Sequence, residues 1–122
     1  MPAGRVIFIV DRDLAVRDSL RFSIELDGMN VRTCGSGQEL LAHPDLADGC
    51  CAVIDGKTLH WDGADVVARL QASCDTLPIV LTVDHVSRRL LAHAIRSGCF
   101  HLVEKPVLDD ALLQCVRKVR RL

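Results

Sequence analysis

The chain reads as one doubly wound α/β domain, a parallel sheet covered by helices on both faces. Short apolar runs alternate with amphipathic stretches along all 122 residues, five of each. Two of the runs, Val6-Ile7-Phe8-Ile9-Val10 and Cys51-Ala52-Val53-Ile54, are apolar at successive positions rather than at every second one. Continuous runs of that length mark strands buried on both faces. Strands separated by helices are joined by right-handed crossovers and therefore lie parallel. No repeat, low-complexity segment or internal linker interrupts the pattern, so residues 1–122 are expected to form a single domain.

Val6 to Val10 is the first strand. Asp13 then reads as an N-cap, and Val16, Leu20 and Ile24 recur at helical spacing until Gly28 stops the helix. Asn30 to Cys34 forms a second, more exposed strand. A short helix follows from about Gly37 to Ala42, ended by Pro44. Cys51 to Ile54 is the third strand and runs into Asp55. A polar loop, Gly56 to Gly63, leads to a helix carrying Val66, Val67 and Leu70. Pro78 introduces the fourth strand, Ile79 to Thr82. The fourth helix carries Leu90, Leu91, Ala94 and Ile95 and stops at Gly98. His101 to Glu104 is the fifth strand, broken by Lys105-Pro106, and the last helix lines up Leu112, Val116 and Val119.

Composition narrows the class of function. Hydrophobic residues make up 49% and charged residues 25%, with a net charge of −1. That balance gives no electrostatic case for binding nucleic acid or an anionic membrane. The one basic run, Arg117, Lys118, Arg120 and Arg121, is expected to be a solvated helix face. The start, Met1-Pro2-Ala3-Gly4-Arg5, leads into an apolar run far too short for a signal peptide or a span, which points to the cytoplasm. The six cysteines form no C-x-x-C pair and no zinc spacing, so they are expected to act as small buried hydrophobes.

In an open parallel sheet, chemistry gathers at the carboxyl ends of the strands. The first strand brings Asp11, Arg12 and Asp13 there, the third Asp55, the fourth Thr82 and the fifth Lys105. Asp13 is accounted for as a helix cap. Asp55 stands eight residues before its helix starts, free to act as a nucleophile toward phosphorus. Lys105 would hold a phosphoryl oxygen and Thr82 would donate to another. Acids after the first strand would normally bind a hard cation such as Mg²⁺.

On these residues the chain resembles a response-regulator receiver domain from end to end. The motifs are "VDRD", "VIDG", "PIVLT" and "SGCFHLVEKPV", in that order and at fitting spacings. The ending is most similar to receivers of the FixJ and NarL type, which carry a helix-turn-helix output domain. The resemblance implies the flavodoxin-like (CheY-like) fold with strand order 2-1-3-4-5. It implies phosphoryl transfer from a partner histidine kinase to Asp55, with Thr82 and Lys105 reading and holding the group. It also implies a cis peptide bond before Pro106, and Mg²⁺ held by Asp11, Asp55 and the backbone of Lys57. Signalling would pass through the face made by the fourth helix, fifth strand and fifth helix, to a homodimer or to an output domain beyond Leu122 that controls transcription. No enzymatic activity is expected.

Several positions depart from the family. Receivers that bind Mg²⁺ well have two consecutive acids after the first strand; here the second is Arg12. Pointing inward, Arg12 and Lys105 would balance Asp11 and Asp55. Each further pair of like unit charges at 4 Å then costs roughly 4 kcal/mol at an effective dielectric of 20. Arg12 is expected to turn inward and pair with Asp55 or Asp11 as a built-in counter-ion. The alternative is that it turns to solvent and leaves the site one ligand short. Leu102 replaces the aromatic switch residue, Val83 a small one, and the loop "GKTLHWDG" lacks the usual proline. Trp61 would contact a partner or pack over the third helix; Asp84 and His85 could approach the pocket but are expected to be solvated. These departures leave a second function open, a pseudo-receiver that binds proteins without being phosphorylated.

Overall fold

β1 (Val6–Val10) is the strand its apolar run predicts, and every residue in it is buried. The structure, a computed structural model, describes residues 6–57, 77–89, 92, 100–105 and 109–119. Parallel pairing joins β1 to β2 (Asn30–Cys34) on one edge and to β3 (Gly49–Asp55) on the other. β4 (Ile79–Val83) and β5 (Phe100–Glu104) complete a five-stranded parallel sheet in the order β2-β1-β3-β4-β5. This is the predicted order.

Alternation along β1 divides the core into two layers. Val6, Phe8 and Val10 meet Leu40 and Leu46 on one face; Ile7 and Ile9 meet Leu20, Ile24, Leu112 and Val116 on the other. Burying each such side chain contributes about 1.5–3 kcal/mol, so the central strand anchors both layers. β3 is longer than predicted. Its partner to β1 moves from Gly49 to Cys51 between Val6 and Ile7, which leaves Cys50 as an extra residue. Cys50 and Cys51 consequently enter the same layer.

α1 (Leu14–Leu26) begins where expected. The Asp13 side chain accepts hydrogen bonds from the backbone N–H groups of Ala15 and Val16. The helix ends before Gly28, whose φ of +87° suits glycine. Its buried stripe is Leu20, Ser23 and Ile24. The predicted Val16 sits at the edge of that stripe and is exposed, because a strict four-residue repeat drifts around a helix of 3.6 residues per turn. α2 (Gly37–Leu41) is capped by Ser36, and a 3₁₀ turn, Leu46–Asp48, precedes β3.

The last helix, Asp109–Val119, lies on the α1 side and buries Leu112 and Val116. Arg117 clasps Asp27 at the end of α1 with two donors, Nε at 2.8 Å and Nη2. Arg117 and Lys118 are exposed, Arg117 while paired to Asp27; Arg120 and Arg121 fall outside the described residues. The predicted third helix and Trp61 fall outside the described residues. So does most of the fourth helix, of which Arg88, Arg89 and Ala92 are helical.

Cys34, Cys50 and Cys51 are buried and Cys115 half-buried, all as free thiols. Burial pushes the Cys34 thiol up to about 11 and raises that of Cys51 further, so neither ionises readily at neutral pH. Among the described residues no helix is long and apolar enough to cross a membrane.

Leu112, fully buried, tests the docking of the last helix. Leu112→Ala should lower the unfolding free energy by about 2–5 kcal/mol in urea titrations. A loss under about 1 kcal/mol would show that the helix contributes little to the core.

Candidate functional site

Parallel pairing brings all strands to one rim, and register decides which side chains meet there. Asp55 ends β3 directly opposite Thr82 on β4, and Thr82 lies opposite Val103 on β5. β5 then delivers Lys105, whose backbone N–H donates to the carbonyl of Val83 at 2.7 Å. The Lys105 ammonium reaches across and donates to Asp55 Oδ1 at 2.6 Å. Asp55 and Thr82 are buried at 5% and 2% exposure, while Lys105 keeps 28% of its side chain open to solvent.

Asp11 joins them from the end of β1. It is 6% exposed, and its Oδ1 accepts a hydrogen bond from the backbone N–H of Asp13 at 2.8 Å. Burial raises the pKa of its carboxyl. The Asp13 N–H works against that, and the nearby charge of Asp55 adds to it. Lys105 shows the complementary effect. Burial disfavours its ammonium, but the hydrogen bond and charge of Asp55, then the charges of Asp84 and Asp11, hold its pKa above the usual lysine value. Two buried carboxylates thus share one ammonium, and the rim retains negative charge.

Arg12, expected to turn inward, is exposed, and Lys105 donates to Asp55. Local backbone chemistry accounts for that exposure. Asp11 accepts from the N–H two residues on, and Asp13 turns to cap α1. Such a turn is closed by the aspartate and leaves the residue between at its outer corner. Asp13 is likewise exposed and serves the helix rather than the pocket.

Leu102 lies opposite Leu81 and packs, half-buried, on the core layer that holds Phe8. Pro106 lies outside the described residues, so the expected cis bond does too. The backbone is helical at Gly56 and Lys57, where the sequence suggested loop. Glycine suits that position: a Cβ at Gly56 would lie 3.1 Å from both the Thr82 carbonyl oxygen and Val83 Cγ1.

One neighbour stands nearer the rim than its preferred reading as a solvated residue implies. Asp84 was expected to be solvated; it is exposed, yet it pairs with Lys57 at 2.9 Å and lies 3.8 Å from the Lys105 ammonium. The Lys57 hydrogen bond holds its carboxyl below the usual aspartate pKa. The signal lay in strand register, since Lys57 and Asp84 each follow the Asp55–Thr82 pair by two residues. His85 lies 3.9 Å from Glu104.

Mg²⁺ takes six oxygen ligands and usually keeps several waters. Asp11 and Asp55 supply carboxylate oxygens at the rim, but the third acid of a full site is here Arg12, which cannot ligate. Among the described residues no three His, Cys, Asp or Glu side chains converge as a metal site. The donor set does not fit a complete Mg²⁺ site.

Comparison with known proteins agrees with this geometry. The family model for the response regulator receiver domain matches residues 7–117. The C4-dicarboxylate transport transcriptional regulatory protein DctR of Rhodobacter capsulatus is 32% identical over 109 residues, 88% of this chain and 55% of its own length. The transcriptional regulatory protein FixJ of Bradyrhizobium diazoefficiens is 32% identical over 116 residues, 94% of this chain and 56% of its own. The chain therefore spans about half the length of these relatives. Among solved structures, the response regulator StyR superposes with a TM-score of 0.81 at 28% identity, covering 96% of this chain and 59% of that one. Vibrio cholerae chemotaxis protein CheY4 gives 0.81 at 20% identity, covering 96% and 99%, and so shares the fold. With a family model across nearly its whole length and the acid, hydroxyl and amine gathered at one rim, this chain belongs to the response-regulator receiver domains, the phosphorylation-based signalling modules of two-component systems.

Proposed function

We propose that this receiver accepts a phosphoryl group on Asp55 from a histidine kinase in the cytoplasm. The group then switches a surface that controls dimerisation or an attached output domain regulating transcription. The observation that carries this reading is the buried Asp55 carboxylate, held by Lys105 at 2.6 Å beside the Thr82 strand end. Lys105 fixes Oδ1 and leaves the other oxygen to attack phosphorus. An O–P bond forms as the P–N bond of a phosphohistidine breaks, and the departing imidazole takes up a proton. Lys105 and the Thr82 hydroxyl then face the charge on the new phosphoryl oxygens. The pseudo-receiver reading rested on Arg12 locking the pocket in one charge state; the Lys105–Asp55 pair supports the phosphoacceptor reading instead.

Receiver domains generally use Mg²⁺ for this transfer. Here Asp11, Asp55 and the backbone of Lys57 would be its ligands, short by the acid that Arg12 replaces, so no step is drawn through the metal. The relatives are transcriptional regulators by name, which supports an output domain of that kind.

Incubation with acetyl phosphate, with and without Mg²⁺, should add one phosphoryl group by intact mass, and Asp55→Asn should abolish it. A label that survives Asp55→Asn would place the acceptor elsewhere. Arg12→Asp should raise Mg²⁺ affinity at least tenfold in calorimetric titration, a gain of about 1.4 kcal/mol. Equal affinities would show that the missing ligand is immaterial.

Asp11 gives a pH signature. Its carboxyl pKa is raised in the folded state, so its ionised form costs stability at neutral pH and costs nothing once protonated. Asp11→Asn should therefore stabilise the fold at pH 7 in urea titrations. That gain should vanish as the pH falls below about 3.9, where the unfolded chain's aspartates also protonate. No gain at pH 7 would contradict the described electrostatics.

A further inference from the structure

We propose that Cys115 and Cys51 are a peroxide-responsive thiol pair, whose oxidation to a disulfide fastens the last helix to β3. The sheet sets the arrangement. Successive residues of a strand point to opposite faces, yet Cys50 and Cys51 share one layer because the register to β1 shifts between Val6 and Ile7. Cys115 packs against that same layer from the last helix, one position before Val116 and three after Leu112. Those two side chains are fully buried, so Cys115 stands at the border of the helix's buried stripe. Three thiols from two elements thus share one layer, while Cys34 lies in the other, on the far side of the sheet.

The two depths give the pair an order of reaction. Cys51 is closed off and Cys115 is half-buried, so a small oxidant in solution meets Cys115 first. Burial raises the pKa of the Cys115 thiol, and the ammonium of Lys118, one turn further on, works against that. Burial, then the neighbouring sulfurs of Cys50 and Cys115, keeps Cys51 protonated. The Cys115 thiolate attacks the peroxide. An S–O bond forms, the O–O bond breaks, and the departing hydroxide takes up the proton that Cys115 released, leaving as water. Cys51 then attacks the sulfur of this sulfenic acid. The S–S bond forms as the S–O bond breaks, and the hydroxyl leaves with the Cys51 proton as a second water. Both thiols are oxidised, one peroxide is reduced, and the oxidant never enters the core. The pair is separate from the phosphoacceptor, since β3 carries Cys51 in its interior and Asp55 at its end.

The test treats dilute, reduced protein with hydrogen peroxide and maps its disulfides by mass spectrometry of a digest made without reductant. Wild type should yield a Cys51–Cys115 link within one molecule, reversed by a thiol reductant. Cys51→Ala and Cys115→Ala should each abolish that link, while Cys34→Ala and Cys50→Ala retain it. With its resolving thiol gone, Cys51→Ala should instead accumulate a sulfenic acid on Cys115 that dimedone traps. Amide exchange in the last helix should slow on oxidation of the wild type and stay unchanged in Cys115→Ala. No link in the wild type, links between molecules only, or a link that survives Cys51→Ala or Cys115→Ala overturns the pairing. Amide exchange that oxidation leaves unaltered in the wild type overturns the fastening of the helix.

Discussion

β1 is hydrogen-bonded on both edges and covered on both faces, and most of what the molecule can do follows from that enclosure. A strand so enclosed offers water only its ends. Parallel pairing puts the carboxyl ends of all five strands on one side, so polar groups that the core cannot hold collect there together. Asp11 and Asp55 are consequently close enough to repel each other, and Lys105 is drawn in to meet them. The reactive rim is the margin of the core rather than a separate construction.

That margin is also where stability is given up. Carboxylates buried against apolar strands are desolvated, and Asp11 is held in a form that its surroundings disfavour. A partly compensated pair of acids favours whatever brings positive charge or carries negative charge away. Lys105 meets this need only in part, and its own ammonium is stabilised by three carboxylates around it. The exposed Lys57–Asp84 pair extends the same charge pattern into solvent, where salt and side-chain freedom weaken it.

Much of this was legible in the sequence because apolar runs end abruptly in polar residues. Val10 to Asp11, Ile54 to Asp55 and Val103 to Glu104 mark strand ends without any knowledge of packing. What escaped were features that depend on pairing or on the path of a turn. Asp84 looked like a solvated loop residue because register, which aligns it with Lys57, is not written in either segment alone. Arg12 was read by its charge, whereas its exposure follows from the Asp11–Asp13 hydrogen bond that spans it. Val16 followed a rule of four that the helix does not quite keep, so Ser23 took part in the buried stripe. β3 began earlier than its apolar run because the bulge at Cys50 extends its pairing to Gly49.

The thiols under the sheet give the molecule an internal clock. Cys51 is shut between β1 and the last helix's layer, with its thiol kept protonated by burial. A thiol reagent reaches such a sulfur only during excursions in which the strands separate, so its rate of modification counts those excursions. Cys115, half-buried on the last helix, reports instead on the departure of that helix alone. Two sulfurs at different depths thus time two different openings of one domain.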